Sequence, residues 1–205
     1  ELDIAVQKGQ MVCLLGHNGA GKTTLLQTIA GFIPPVRGHV EIFGERALQP
    51  LYQRVRQGMA YITDERSLIM GLSTRDNLLL RGGSVDAATA IFPELIPLLD
   101  RPAKLLSGGE QQMAAVARCL ASNPKLVIAD ELSMGLAPQL VDRLLGRLRK
   151  ATDQGLAVLL VEQHIDKALA QCDYGYVISH GKIVMQGSAS TLLGQRGAIE
   201  RAYIG

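Results

Sequence analysis

The sequence predicts an α/β fold in which a mainly parallel sheet is flanked by helices. Short apolar runs alternate along the chain with segments of helical spacing, as is typical of a parallel sheet covered on both faces. A glycine-rich turn joins the first run to the first helical segment. Strand signals stop over residues 73–123, which we expect to form a helical subdomain within a single domain spanning residues 1–205.

The composition and charge are those of an ordinary folded protein. Of the 205 residues, 47% are hydrophobic and 20% are charged, which argues against an intrinsically disordered chain. There are 21 basic and 19 acidic residues, so the formal net charge is only +2. Because non-specific nucleic-acid binding needs a strong positive field, we expect no nucleic-acid partner.

The cysteines and the apolar segments indicate neither a metal centre nor a membrane span. Cys13, Cys119 and Cys172 lack metal-ligand spacing, so we expect reduced thiols, with a packing role for Cys13. No apolar stretch approaches the roughly 18 residues of a spanning helix, and the first residues lack the apolar segment of a signal peptide. We therefore expect any membrane role to come through a partner.

The predicted strands form a parallel set and a final antiparallel pair. Each is a short, mostly apolar run, as strands buried on both faces require. The last two runs are separated only by His180 and Gly181, which predicts a hairpin and hence an antiparallel β element. In order, the runs are residues 11–15 (MVCLL), 39–43 (HVEIF), 59–62 (MAYI), 126–130 (LVIAD), 157–161 (AVLLV), 174–179 (YGYVIS) and 182–186 (KIVMQ).

Helical spacing marks the remaining elements. We expect a helix from about Lys22 and a closing helix over residues 190–203. In the helical subdomain, Met113, Val116 and Leu120 lie on one stripe. An amphipathic helix after Pro138 has the apolar residues Leu140, Val141, Leu144, Leu145 and Leu148 on one face and, on a face expected to be solvated, Asp142, Arg143, Arg147, Arg149 and Lys150.

Residues 16–23 match the pattern G-x-x-x-x-G-K-[ST] between an apolar strand and a helix, which is the context that a phosphate-binding P-loop requires. Glycines let the backbone wrap round a polyphosphate, so that N–H groups and the helix N-terminus point at its oxygens. A glycine turn that merely starts a helix would not need all the fixed positions. We therefore predict a P-loop NTPase whose nucleotide is bound by Gly16, His17, Asn18, Gly19, Ala20, Gly21, Lys22, Thr23 and Thr24.

A pair of acids follows a later strand. Asp130 ends the run 126–130 and Glu131 follows it, and successive side chains of a strand point to opposite sides. We expect Asp130 and the Thr23 hydroxyl to hold Mg²⁺ and Lys22 to neutralise the β- and γ-phosphates. Glu131 is then free to orient and polarise the attacking water. Two acids could simply mark where a strand meets solvent, but the P-loop upstream favours the catalytic interpretation.

A second glycine turn precedes the helical stripe. Residues 106–112 read LSGGEQQ, and Ser107, Gly108 and Gly109 place an N-cap and exposed N–H groups at a helix start. This is a second anion site on a chain that needs only one. The alternative is a turn that only caps a helix. The combination of LSGGEQQ with the Asp-Glu strand that follows it is highly specific, however, and favours the anion site.

On these motifs the sequence resembles the ATPase subunits of ABC transporters over essentially its whole length. The resemblance implies that Ser107, Gly108, Gly109 and Glu110 contact ATP held in the P-loop of a second ABC ATPase subunit, identical or related. It also implies that His164, in the run VLLVEQH, contacts the γ-phosphate as a catalytic switch. The resemblance further implies that the chain lies at the cytoplasmic face of the cell membrane. Its other implied partners are transmembrane permease subunits and, through the complex, a periplasmic or extracellular substrate-binding protein.

Within this family the sequence is most similar to the ATPases of importers for branched-chain and related hydrophobic amino acids, with urea and short-amide importers as near relatives. The similarity lies in residues 135–138 (GLAP), 181–184 (GKIV) and 202–205 (AYIG). Two alternatives stay open. One is a soluble ABC ATPase of translation or DNA repair, although such proteins usually carry two cassettes, long insertions or basic arms. The other is a regulatory module that binds nucleotide without hydrolysing it.

The sequence also departs from the family pattern. Asp64 stands where a Mg²⁺-contacting glutamine is usual, so we expect Asp64 to be a metal ligand that, when ionised, cannot donate a hydrogen bond. Leu132 replaces a usual proline, and Ala137 replaces a frequent aspartate. Only fifteen residues precede Gly16 and none is aromatic, so we expect an N-terminal truncation and assign no adenine-stacking residue.

Overall fold

A six-stranded sheet forms the centre of the fold. The structure is a computed structural model that describes residues 2–63, 68–162 and 164–204. Its strands are β1 (Met11–Leu15), β2 (Glu41–Ile42), β3 (Glu45–Arg46), β4 (Met59–Ile62), β5 (Leu126–Asp130), β6 (Ala157–Val161), β7 (Tyr174–Ser179) and β8 (Lys182–Ser188). The order in the large sheet is β4-β5-β6-β1-β7-β8, and only the β7–β8 pair is antiparallel. The predicted α/β fold with a mainly parallel sheet is therefore confirmed.

The central strands are continuous apolar runs because both faces of the sheet are covered. In β1, Val12 and Leu14 belong to the core on one face, and Met11, Cys13 and Leu15 belong to the core on the other. All five side chains are fully buried. A polar residue at any of these positions would have to be buried without water, which is costly unless it is hydrogen-bonded.

Two hairpins turn on pairs of residues with left-handed backbones. His180 (φ 49°) and Gly181 (φ 72°) join β7 to β8, which confirms the predicted antiparallel pair. Phe43 (φ 57°) and Gly44 (φ 81°) join β2 to β3 in a separate two-stranded sheet. The prediction that the run 39–43 belongs to the main sheet was therefore wrong, because the chain reverses at Phe43 and pairs with itself.

The helices cover both faces of the sheet and fill the segment that lacks strand signals. Short 3₁₀ helices lie at Pro93–Leu98 and Ala103–Leu105. The α-helices are α1 (Lys22–Ala30), α2 (Leu51–Arg56), α3 (Thr74–Leu79), α4 (Val85–Ile91), α5 (Gly108–Ala121), α6 (Pro138–Thr152), α7 (Ile165–Gln171), α8 (Ala189–Leu193) and α9 (Arg196–Ile204). No helix in the described part of the chain is long and apolar enough to cross a membrane.

Residues 73–123, all described by the structure, are helical as expected, with one isolated bridge between Ser73 and Pro102. Their helices enclose apolar side chains such as Phe92 and Val116, both fully buried. The 3₁₀ helix at Pro93–Leu98 falls where Pro93 and Pro97 remove backbone donors. Whether this segment moves as a separate subdomain stays a prediction.

The helix after Pro138 is α6, and its polar face is exposed at Asp142, Arg143 and Lys150, as expected, and half-buried at Arg147 and Arg149. Arg143 forms an ion pair with Glu94, and the Arg147 guanidinium lies 5.7 Å from the centre of the Phe92 ring. These arginines therefore join α6 to the helical segment, because long side chains can cover apolar surface while their charge stays near water. Its apolar face is buried at Val141, Leu144, Leu145 and Leu148, whereas Leu140 is half-buried.

The prediction of a single closing helix over residues 190–203 was also wrong in detail. The chain forms two helices, α8 and α9, with Gly194 and Gln195 between them. Ser188 caps α8, since its hydroxyl accepts the N–H of Thr191 at 3.2 Å. Ile199 of α9 is fully buried, so the second helix packs on the core.

One buried cation fixes the C-terminal end of α1 to the small sheet. The Arg54 guanidinium, only 4% exposed, donates to the backbone oxygens of Gln49 at 2.7 Å, Ala47 at 2.7 Å and Ile29 at 2.5 Å. Burial lowers the pKa of Arg54 from its ordinary value. This side chain supplies donors for carbonyl groups that the ends of α1 and β3 leave unpaired.

We expect Arg54→Ala to lower the free energy of unfolding by about 3 kcal/mol, because several buried carbonyl oxygens lose their donor together. Urea unfolding followed by circular dichroism measures the change. The control is Arg56→Ala, which removes an exposed arginine of the same helix and should change stability by less than about 0.5 kcal/mol. Equal effects of the two substitutions would contradict the assignment.

Candidate nucleotide-binding site

The predicted P-loop connects β1 to α1 at the edge of the sheet where the parallel strands end. A Cβ on Gly16 would lie 2.4 Å from the carbonyl oxygen of Ile178 in β7, so only glycine fits there. Gly19 (φ 82°) and Gly21 (φ 100°) have left-handed backbones. Three of the loop's glycines are therefore required by its path before any ligand is considered.

Lys22 lies at the centre of the loop. Its side chain is only 5% exposed, and Nζ donates to the backbone oxygens of Gly16 at 2.7 Å and His17 at 3.0 Å. Burial lowers the pKa of Lys22, while the carboxylates of Glu131 and Asp130 act on it in the opposite direction. The acid pair therefore lies close enough to the loop lysine to act on its charge, and the two motifs lie at one edge of the sheet.

The start of α1 offers backbone donors to an anion. Gly21 precedes the helix and no side chain caps it, and the first turn contains no acidic residue. The first N–H groups of a helix have no partner within the helix, and its N-terminus carries a partial positive charge. Thr23 and Thr24 lie in this first turn with exposed side chains. This is the environment that a terminal phosphate group requires.

The acid pair lies at the end of β5. Asp130 is 5% exposed and is paired in register with Val161 of β6. Glu131 has φ 49°, and its N–H donates to the Val161 oxygen at 2.9 Å. Its side chain is half-buried. Leu132, which replaces the family's usual proline, is 1% exposed and packs in the core.

A carboxylate and a hydroxyl at this site are hard oxygen donors of the kind that Mg²⁺ prefers. Asp130 acts on the charge of Lys22, and Thr23 follows that lysine in the first turn of α1, so both lie at the P-loop edge, and their role as Mg²⁺ ligands stays a prediction. The remaining predicted ligand, Asp64, lies outside the described residues. Its assignment stays a prediction.

The LSGGEQQ turn begins α5 with a capping box. The Ser107 hydroxyl accepts the N–H of Glu110 at 3.3 Å, and the Glu110 carboxylate accepts the N–H of Ser107 at 2.6 Å. The hydrogen bond from the Ser107 backbone is the main cause that lowers the pKa of Glu110. Gly109 lies close to α6, since a Cβ there would be 2.5 Å from Leu140 Cδ2. The structure thus shows how this turn is held, while its contact with a partner's nucleotide stays a prediction.

His164 is the residue before α7 and lies two residues beyond Glu162, with Gln163, between them, outside the described part of the chain. Its side chain is exposed, and its carbonyl oxygen accepts the N–H of Ala168 at 3.0 Å. Since β5 and β6 are neighbours, His164 follows the strand next to the acid pair. Its role as a switch stays a prediction.

Two sets of contacts at this edge were not predicted from the sequence. Buried Glu162 bonds to Ser133, two residues after the second acid. The β7–β8 turn also supports the P-loop, because Gly181 N–H donates to the Ala20 oxygen at 3.1 Å and the His17 and His180 rings lie 5.3 Å apart. A glutamate ending the apolar run VLLVE was the one sequence signal available for the first set.

Comparison with known proteins places the chain among transporter ATPases. A family model described as ABC transporter matches residues 1–133. The high-affinity branched-chain amino acid transport ATP-binding protein BraG of Pseudomonas aeruginosa is 34% identical over 215 residues, covering 100% of this chain and 92% of that protein. The lipopolysaccharide export system ATP-binding protein LptB of Escherichia coli is 33% identical over 217 residues, with coverage of 100% and 90%.

Solved structures show the same fold. The ADP conformation of an ATP-binding cassette of an ABC transporter has a TM-score of 0.86 and 25% identity, covering 100% of this chain and 91% of that one. A dimeric cassette in a post-hydrolysis state bound to ADP and Pi has a TM-score of 0.80 and 24% identity, covering 92% and 89%. The second likeness is one of fold alone.

We expect Lys22→Met to weaken MgATP binding by at least about tenfold, because a charge-assisted hydrogen bond contributes roughly 1.5–3 kcal/mol. Isothermal titration calorimetry measures the dissociation constant. Lys182→Met, at an exposed lysine of β8, is the control and should bind normally. Unchanged affinity in a folded Lys22→Met protein would refute the phosphate-binding role.

Proposed function

Because this chain belongs to the ABC transporter family and is an ATPase whose hydrolysis is coupled to transport, we propose that it serves an importer of branched-chain or related hydrophobic amino acids. In this proposal it acts at the cytoplasmic face of the membrane, beside permease subunits and with a substrate-binding protein that delivers the cargo. A dimer with a second cassette, identical or related, completes the ATPase.

The buried Lys22 ammonium is the observation that carries the proposed ATP site. It bonds to its own loop, and the carboxylates of Glu131 and Asp130 lie close enough to act on its charge. A polyphosphate seated on the loop would therefore have its terminal phosphate beside the acid pair. The geometry supports hydrolysis of that terminal phosphate more than simple storage of a nucleotide.

Each residue has a separate proposed task. Lys22 and the first N–H groups of α1 hold the β- and γ-phosphates, and Thr23 with Asp130 would hold Mg²⁺, which neutralises developing charge when it is bound. Glu131 orients the attacking water and accepts its proton. His164 contacts the γ-phosphate from the neighbouring strand end.

The partner cassette is proposed to bring a second set of donors. Ser107 and the two glycines that follow it present the start of α5, a helix of 14 residues, as an anion-binding N-terminus. In the proposed dimer this turn faces the γ-phosphate held by the other chain. Loss of that phosphate removes contacts that favour the closed dimer, so hydrolysis would open it.

Two relatives favour an amino-acid cargo, and one favours another cargo class. BraG of Pseudomonas aeruginosa and the probable branched-chain amino acid transport ATP-binding protein LivF of Archaeoglobus fulgidus are named for such transport. The latter is 32% identical and covers 94% of this chain. LptB, at 33%, makes lipopolysaccharide-type export the second candidate function. Cargo selection would lie in the membrane partners, because the described site recognises phosphate groups.

We expect Glu131→Gln to lower ATP turnover by at least about a hundredfold, since an amide cannot accept the proton of the attacking water. MgATP binding should persist, and the variant should dimerise in MgATP because the nucleotide is not consumed. Phosphate release measures the turnover, and light scattering measures the dimerisation, which requires bound MgATP. Glu45→Gln, on exposed β3, is the control, and near-normal turnover of Glu131→Gln would refute the catalytic role.

The cargo is tested with the intact complex. We expect the chain, purified in detergent from its own cells, to retain permease subunits. After reconstitution of this complex, its ATPase activity should rise at least about threefold with a binding protein loaded with leucine, isoleucine or valine. Stimulation by lipopolysaccharide instead would establish the second candidate. Stimulation by neither ligand would refute both cargo classes.

A further inference from the structure

A buried carboxylate lies at the end of β6, beside the acid pair. Glu162 is 1% exposed, and one of its carboxylate oxygens accepts the N–H of Ser133 at 3.0 Å. The other oxygen accepts the Ser133 hydroxyl. Ser133 itself is 4% exposed. Burying a carboxylate is costly unless its oxygens are hydrogen-bonded, so this double contact is a specific feature of the site.

Ser133 controls how the chain leaves Glu131. The backbone of Glu131 has φ 49°, a left-handed conformation that is unfavourable for a residue with a side chain and persists only when its surroundings fix it. On the N-terminal side, Glu131 N–H is held by the Val161 oxygen at 2.9 Å. On the C-terminal side, Met134 N–H donates to the Glu131 oxygen at 3.3 Å, and Glu162 holds Ser133 between them.

The same carboxylate also belongs to the segment that leads to His164. Glu162 directly follows β6, and His164 is two residues further on, at the start of α7. A separate contact joins α7 to α6, since Lys167 Nζ donates to the Pro138 oxygen at 2.8 Å and to Asp142 Oδ1 at 2.7 Å. Glu162 thus joins the turn after the acid pair to the end of β6, while Lys167 joins α7 to α6.

We propose that Glu162 is a positioning residue for ATP hydrolysis, which through its two bonds to Ser133 holds the Glu131 turn in register with the His164 segment. The inference rests on the proposed roles of Glu131 and His164. Glu162 itself touches neither phosphate nor water in this scheme. Displacement of a catalytic group by about 1 Å can cost a hundredfold in rate, so a bond of this kind affects turnover more than binding.

The glutamine and alanine variants of Glu162 separate geometry from charge. In Glu162→Gln the amide oxygen can accept the Ser133 N–H and the amide nitrogen can donate to the Ser133 hydroxyl, which is able to reverse its role. Both bonds persist without the charge, so we expect kcat within about threefold of the native value. In Glu162→Ala both bonds are lost, and we expect kcat to fall at least about tenfold while KM for ATP changes less than about threefold.

Two further variants complete the experiment. Ser133→Ala removes one of the two bonds and should give an intermediate loss of kcat, which keeps the test valid if Glu162→Ala does not fold. Asp173→Ala is the matched control, because Asp173 accepts the Met11 N–H at 2.8 Å at the opposite end of the sheet. It should lower the melting temperature while kcat per folded molecule stays normal.

The outcomes separate this inference from the proposed function. Normal turnover of Glu162→Ala beside an inactive Glu131→Gln would overturn the inference and leave the function in place. Equal losses in Glu162→Gln and Glu162→Ala, or an equal loss in Asp173→Ala, would also overturn it. Normal turnover of Glu131→Gln would remove the proposed catalytic role itself.

Discussion

The site depends on a positive charge held away from water. Lys22 is buried, and an ammonium group is stable there only because fixed oxygens replace its hydration. The carbonyl groups of Gly16 and His17 supply that contact, and the carboxylates of the acid pair supply opposite charge. The curvature of the P-loop and the approach of the acids are therefore two consequences of one electrostatic requirement.

The parallel sheet is what brings the charged groups together. The P-loop follows β1, the acid pair ends β5, and the Glu162–His164 segment follows β6, so three connections meet at one edge. In open parallel sheets this edge is where ligands bind. The β7–β8 turn adds a fourth support, because Gly16 fits under the Ile178 oxygen and Gly181 bonds to Ala20. Long-range strand pairing therefore positions each local motif.

The contacts between the helical segment and α6 have a different character. The Arg143–Glu94 pair has both side chains 46% exposed, and such a pair contributes at most about 1 kcal/mol because water and salt screen it. The Arg147–Phe92 contact is also a weak attraction of a cation for a ring. By contrast, the hydrogen bonds of Glu162 and Lys22 are buried, where water and salt screen them far less. The helical segment is therefore joined to α6 partly by exposed, weak contacts, whereas the P-loop edge is held by buried ones.

The main strands, the P-loop and the acid pair could be predicted from the chain alone, because apolar runs and glycines at fixed spacings report local requirements. Prediction from the sequence failed where the outcome depended on contacts between residues far apart in the chain. The run 39–43 is apolar enough for the main sheet but pairs with β3, and the arginines of α6 meet Glu94 and Phe92 across the fold. Glu162 bonds a serine 29 positions away, and only the adjacency of β5 and β6 places the two together. Tertiary structure alone decides such pairs, since a polar side chain is buried only where the fold supplies its partner.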